Sequence, residues 1–149
     1  MPRVRKSATS IKTIFVPTDF SPHSERAQDY AVMLARKFNA RVILFHAIEP
    51  YPYSTNDAFM IIDNSEALKK IAQSLLLNAK ALLRKKGLKV KSSLTIGNPA
   101  REIAERAGKE KADLIVMGTQ GKRGVEHVLL GSVAEKVVRL ADCPVLTIR

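Results

Sequence analysis

"ADLIVMGTQGKRGVEHVLLGSVAEKVVRLAD", residues Ala112–Asp142, is the stretch on which the fold turns. Its first part, "ADLIVMG", has the pattern of a buried strand, and its last, "SVAEKVVRLAD", repeats apolar residues at helical spacing. A strand that runs through a glycine turn into a helix is half of a parallel crossover. The same alternation recurs upstream. "KTIFVPTDF" reads as a short buried strand ending near Pro17. "SPHSERAQDYAVMLARKF" reads as a helix with Ser21 as N-cap, Pro22 at the first helical position, and an apolar stripe at Ala27, Tyr30, Ala31, Leu34, Ala35 and Phe38. "RVILFHAIE" is a second buried strand, and the prolines and polar residues of "PYPYSTNDAFMIIDNS" make a loop after it. A helix from about Asp63 to Lys86 follows, with apolar positions from Leu68 to Leu83, and Gly87 stops it. "KVKSSLTI" alternates as a strand with one wet face does at a sheet edge. "NPAREIAERAG" opens a helix with Asn98 as cap and Pro99 first, and "CPVLTIR" is the final strand. Strands alternating with helices predict an α/β fold, a three-layer sandwich with helices on both faces of a parallel sheet.

The chain of 149 residues is long enough for one domain with a substantial core. We expect a basic N-terminal tail over 1–10 and a single domain over 11–149. No apolar stretch approaches the roughly 20 residues that a membrane span requires. The basic start "MPRVRKSATS" leads into no apolar signal region, and the lone Cys143 cannot form an internal disulfide. These features suit a reducing cytoplasm. The net charge of +11 resembles a nucleic-acid footprint until its distribution is considered. Arg3, Arg5, Lys6 and Lys12 lie at the start, and Lys80, Arg84, Lys85, Lys86, Lys89 and Lys91 lie around one helix end. Without those ten, 15 basic residues face 14 acidic ones. The excess is therefore either a solvated tail and helix end or the footprint of an acidic partner. Aromatics make up 5% of the chain and none interleaves the basic cluster, which argues against nucleic acid.

In open parallel sheets, ligands sit at the carboxyl ends of strands where the strand order reverses. "PTDF" after the first strand and "GTQG" after the fourth lie at such ends. Gly118 and Gly121 would let the backbone approach a ligand, and Gly131 with Ser132 opens a helix whose free N–H groups favour an anion. Any side chain at Gly131 would then fill space that phosphates need. The structural alternative is that Ser132 and Glu135 form a capping box, which satisfies the helix start without a ligand. There is no G-x-x-x-x-G-K-[ST], which excludes a P-loop, and no G-x-G-x-x-G after the first strand. His46, inside an apolar strand, reads as a core histidine or as a base. Three scattered histidines make no metal site.

Gly118, two residues, Gly121, nine residues, then Gly131-Ser132 resembles the G-x2-G-x9-G-[S/T] signature of the nucleotide-binding branch of the universal stress protein family, and "IFVPTDFS" is similar to that family's opening strand. The resemblance covers about Lys12 to Arg149. It implies a five-stranded Rossmann-like sheet, of the adenine nucleotide alpha hydrolase-like kind, in the order 3-2-1-4-5. It also implies a homodimer, and ATP or a related adenine nucleotide as ligand, which Mg²⁺ could accompany. On the resemblance, Pro17, Thr18 and Asp19 would line the adenine and ribose end, with Ala47 as a small apolar adenine contact. Met117 and Gly118 would flank the ribose and phosphates, and Gly121 would permit close approach. Gly131, Ser132 and Val133 would hold phosphates, with Lys122 and Arg123 beside them in the excursion. For Asp19 a capping role is the competing reading.

Two functions compete on this reading. One is a nucleotide-responsive stress or signalling module that recruits a protein partner; the other is a slow ATPase or phosphotransferase using the same site. Phosphoryl transfer needs positioned metal ligands and an activator beside the γ-phosphate, and the sequence displays no carboxylate pair near the motif. The final strand, Pro144 to Ile148, carries no charge before Arg149 and would be an unpaired sheet edge. It is the expected dimer seam.

Overall fold

The computed structural model describes residues 10–50, 65–120 and 130–149. The expected tail and the loop after the second strand lie outside these residues except at their margins, as do Gly121, Lys122 and Arg123. The elements are β1 (Thr13–Pro17), α1 (Pro22–Phe38), β2 (Arg41–Ile48), α2 (Ser65–Lys85), β3 (Val90–Ile96), α3 (Pro99–Lys109), β4 (Leu114–Gly118), α4 (Ser132–Leu140) and β5 (Val145–Ile148). All neighbouring strands pair in parallel, in the order β3-β2-β1-β4-β5. α1 and α2 cover one face, where Ile14, Val16, Val42, Leu44 and Val116 meet Ala31, Leu76 and Leu83. α3 and α4 cover the other, with Phe15, Ile43, Phe45 and Ile115 against Ile103 and Val137. No helix among the described residues is long and apolar enough to cross a membrane.

Local chemistry accounts for the helix boundaries. The Ser21 hydroxyl accepts from the Ser24 N–H and Pro22 opens α1. The Asn98 side chain accepts from the Arg101 N–H ahead of α3. Gly87, with φ at +85°, takes the left-handed conformation that ends α2. Two apolar stripes are narrower than the spacing suggests. In α1 the buried line is Ser24, Ala27, Ala31 and Ala35 with Val32, whereas Tyr30 and Phe38 are exposed. The small residues let the helix lie close to the sheet and leave the bulky ones on its flank. In α2 only Ala72, Leu76 and Leu83 are buried, while Leu68, Ile71, Leu75 and Leu82 face outward, because the helix meets the outer strands β2 and β3 along a single line.

The amino end of β1 is anchored from a distance. Asp113, just before β4, accepts from the N–H groups of Lys12 and Thr13 at 2.9 Å each. The Arg41 Nε donates to the Thr13 hydroxyl, also at 2.9 Å. Replacing Asp113 with Ala strands two donors at the start of the central strand and should cost about 1–3 kcal/mol. Urea unfolding checks this, and an unchanged midpoint would remove Asp113 from the anchor.

Candidate functional site

β1 and β4 are neighbours in register, Ile14 opposite Leu114 and Phe15 opposite Ile115, so their carboxyl ends emerge side by side. Their connections then diverge, β1 leading to α1 on one face and β4 to α4 on the other. The crevice between them is the strand-order reversal expected to hold a ligand.

The β1–α1 turn is built around Thr18, only 5% exposed. Ser24 Oγ donates to the Ser21 carbonyl at 2.9 Å, so in its 3.1 Å contact with Thr18 it accepts the threonine's hydrogen. Thr18 Oγ1 accepts in turn from the Phe20 N–H at 3.0 Å and from Gln28 Nε2 at 3.3 Å. Its one hydrogen and both lone pairs are thereby used. The Thr18 side chain shapes the turn and has no hydrogen bond left for a ligand. The turn brings Phe20 to a positive φ of 62°, a conformation costly for a bulky residue and sustained by these bonds. Asp19 Oδ1 accepts from the Ser21 N–H at 3.0 Å, so the capping role weighed for this carboxylate is present for that oxygen.

His46 is a histidine satisfied by the main chain, half-buried near the end of β2. Its Nδ1 is 2.7 Å from the Thr18 carbonyl oxygen and its ring lies 4.6 Å from that of Phe20. A carbonyl can only accept, so Nδ1 carries the hydrogen, and the imidazole pins the carboxyl end of β1 to β2. Ala47 follows it, half-buried near the end of β2 and packed against the α3–α4 side of the core.

One expectation at the glycines is corrected. A Cβ on Gly118 would lie 3.0 Å from the His23 carbonyl oxygen, and one on Gly131 would lie 2.8 Å from the Thr119 carbonyl oxygen. Gly118 therefore makes room for the first turn of α1. The space that a Gly131 side chain would take is filled by the Thr119 carbonyl just past β4, so it is not space that phosphates would use. The capping box is also absent. Gly131 is itself the N-cap, in an extended conformation with no side-chain cap, and Ser132 is the first helical residue. The Gly131 N–H donates to the Thr119 carbonyl, which fixes where the chain enters the helix, and Glu135 turns outward to Arg139 at 2.8 Å.

α4 thus begins without a capping side chain, its first-turn N–H groups directed toward the β1–β4 crevice end of the sheet. Beside it, the buried Thr119 hydroxyl has no hydrogen-bond partner among the described residues. An anion with acceptor oxygens fits both. Of the residues singled out from the sequence, Thr18, Asp19 and Gly131 lie on the two connections, Pro17, Met117, Gly118, Ser132 and Val133 lie at the element ends beside them, and Ala47 lies one strand away. Thr119 was the polar residue missed; its place inside the G-x2-G spacing was the available signal.

Residues 10–149 match the universal stress protein family. A universal stress protein of Methanocaldococcus jannaschii, MJ0531, is 40% identical over 149 residues, covering 98% of this chain and 86% of its own. A universal stress protein solved in complex with cAMP superposes with a TM-score of 0.71 at 28% identity, covering 95% of this chain and 99% of its own. That from Archaeoglobus fulgidus in complex with dAMP superposes at 0.66 with 25% identity, covering 93% and 98%.

The geometry separates two neighbouring substitutions. Gly131→Ala forces a methyl group onto the Thr119 carbonyl and should cost about 1–3 kcal/mol. Ser132→Ala, at an exposed position that caps nothing, should stay within about 0.5 kcal/mol. Parallel denaturant titrations decide it; equal stability of the two variants would contradict the close approach at Gly131.

Proposed function

We propose that this chain, which belongs to the universal stress protein family, binds an adenine nucleotide, ATP foremost, across the carboxyl ends of β1 and β4 and works as a nucleotide-responsive stress-signalling module of the cytoplasm. The observation that carries the reading is the uncapped start of α4 beside the unpartnered Thr119 hydroxyl. Backbone N–H groups at a helix start, with a hydroxyl beside them, suit phosphate oxygens. The complexes of related proteins with cAMP and dAMP support the same ligand class, since both carry adenine and a phosphate. Pro17, Asp19 and Ala47 would face the adenine and ribose, with Thr18 holding the turn that presents them. Met117 and Gly118 would pass beneath the ribose. Ser132 and Val133 would hold the phosphates through their N–H groups and the serine hydroxyl, with Gly131 fixing where the chain enters the helix, Gly121, Lys122 and Arg123 as further phosphate contacts, and Mg²⁺ carried by the nucleotide. The single domain would span 11–149, and its nucleotide-ordered surface would recruit a protein partner.

A slow ATPase is the rival function. Phosphoryl transfer would require metal ligands and an activator positioned beside the γ-phosphate. Mass spectrometry of small molecules released from freshly purified protein should identify an adenine nucleotide. In calorimetry, Ser132→Ala should weaken ATP binding about tenfold, the size of one hydrogen bond to a charged group. Absence of any adenine nucleotide affinity at millimolar concentration would end this reading, and sustained phosphate release with Mg²⁺ would favour the enzyme.

The homodimer belongs to the same proposal. β5 is an edge of the sheet, and Leu146 on it is 37% exposed. Ile115 N–H donates to the Pro144 carbonyl and Thr119 N–H to that of Ile148, so by alternation the main-chain groups of Val145 and Thr147 point away from β4. An antiparallel copy of β5 could pair with them about a two-fold axis. Thr147→Pro removes an outward donor without touching the β4 ladder. Sedimentation at micromolar concentration should show a dimer for the parent and a shift to monomer for the variant; a parent that is monomeric throughout would refute the seam.

A further inference from the structure

The opposite edge of the sheet carries a second concentration of unsatisfied polar groups. β3 is flanked there by the second halves of α2 and α3, and the three enclose a cleft of about 300 Å³. Lys80 and Arg84 reach it from α2, Lys91 and Ser93 from β3, and Arg106 from α3, with Glu110 just beyond α3 as the one acid. Two polar atoms buried in this wall, Ser93 Oγ and Arg106 Nε, have no hydrogen-bond partner among the described residues. Glu110 Oε1 forms an ion pair with Arg106 Nε at 3.5 Å, a separation too long for a good hydrogen bond. Arg84 spends one Nη2 hydrogen on a long 3.4 Å bond to the Val90 carbonyl and keeps its other donors. A second cleft, of about 660 Å³, adjoins the first through Arg84, Val90 and Lys91 and adds Arg41 and Lys89.

A buried hydroxyl and a buried guanidinium N–H with no hydrogen-bond acceptor among the described residues are each unfavourable. An oxyanion seated between them would satisfy both. Four cations against one carboxylate favour a ligand with more than one negative charge. The donors come from three different elements and so approach from several sides, which suits the tetrahedral oxygens of a phosphate better than a planar carboxylate. The cleft is larger than one phosphate group, and its basic lining continues into the second cleft, so the ligand carries a further phosphate or an organic arm.

We propose that the cleft between α2, β3 and α3 is a binding site for a small phosphorylated ligand, separate from the β1–β4 crevice and two strands removed from β1. Part of the excess positive charge around the end of α2 is then a recognition surface. Pyrophosphate and ribose 5-phosphate, titrated into the full chain at fixed ionic strength and followed by the backbone amides and arginine Nε–H signals, distinguish a polyphosphate from a phosphate ester. Saturable shifts at Val90–Ser93 and at the Arg84 and Arg106 Nε–H groups are expected, from one probe or both. Ser93→Ala and Arg106→Gln should each weaken the response at least fivefold, with Arg106→Lys as the milder variant if Arg106→Gln impairs folding. The exposed Lys37→Ala, on α1, should leave it unchanged. Shifts reproduced by sodium chloride at the same ionic strength, shifts confined to residues 17–19 and 130–133, or full affinity in the Ser93 and Arg106 variants would each overturn the proposal.

Discussion

Every part of the fold is arranged around a five-residue strand that is buried along its whole length and paired on both sides. β1 has no solvent-facing surface, and each of its main-chain groups must find a partner inside the protein. β2 and β4 supply the ladder. Asp113 and Arg41 complete the amino end, and at the carboxyl end the Thr18 N–H reaches the Phe45 carbonyl at 2.8 Å. Since β1 is central, the chain must leave it toward one face and leave its neighbour β4 toward the other. The crevice at the strand ends is a result of that topology, present before any side chain is specified.

Side chains then make the crevice rigid on one wall and receptive on the other. On the β1 side, Ser24, Gln28 and the Phe20 N–H use up the hydrogen-bonding capacity of the Thr18 hydroxyl, His46 holds the Thr18 carbonyl, and Phe20 is kept in a conformation it would not choose. On the β4 side the polarity is left unmatched among the described residues, with a helix start that has no side-chain cap and a hydroxyl that has no hydrogen-bond partner. A saturated wall fixes shape, and an unsaturated wall supplies binding free energy. Gly118 joins them, since the first turn of α1 rests against it at a distance that admits no side chain. Movement of one connection would therefore be felt by the other.

What the sequence made legible follows from the range of the interactions. Ser21 with Pro22 and Asn98 with Pro99 were readable because a cap and its helix lie within a few residues of each other. The parallel layering was readable from alternation, and the strand order from the resemblance carried by the glycine spacing. Asp113 binds Lys12 about a hundred residues away, and His46 meets Thr18 across two strands, so no local pattern announces either. Ser132 misled because Ser-x-x-Glu spells a capping box only if the serine is the N-cap, and here it stands one residue inside the helix. The main-chain bond from Gly131 to Thr119 decides between the registers, and it is a tertiary contact. For the same reason the spacing of the glycines could be recognised while the reason for Gly131 could not.

That bond also separates the excursion from the scaffold. Thr119 and Gly131 are joined main chain to main chain, so the intervening segment begins and ends at one fixed point whatever its composition. Lengthening a closed segment costs only a logarithmic increment of chain entropy, about 0.6 kcal/mol for each doubling. Residues could be inserted or exchanged between these two anchors without altering the sheet or the start of α4. The chain between the two anchors can thus change while the carboxyl ends of β1 and β4 keep their geometry.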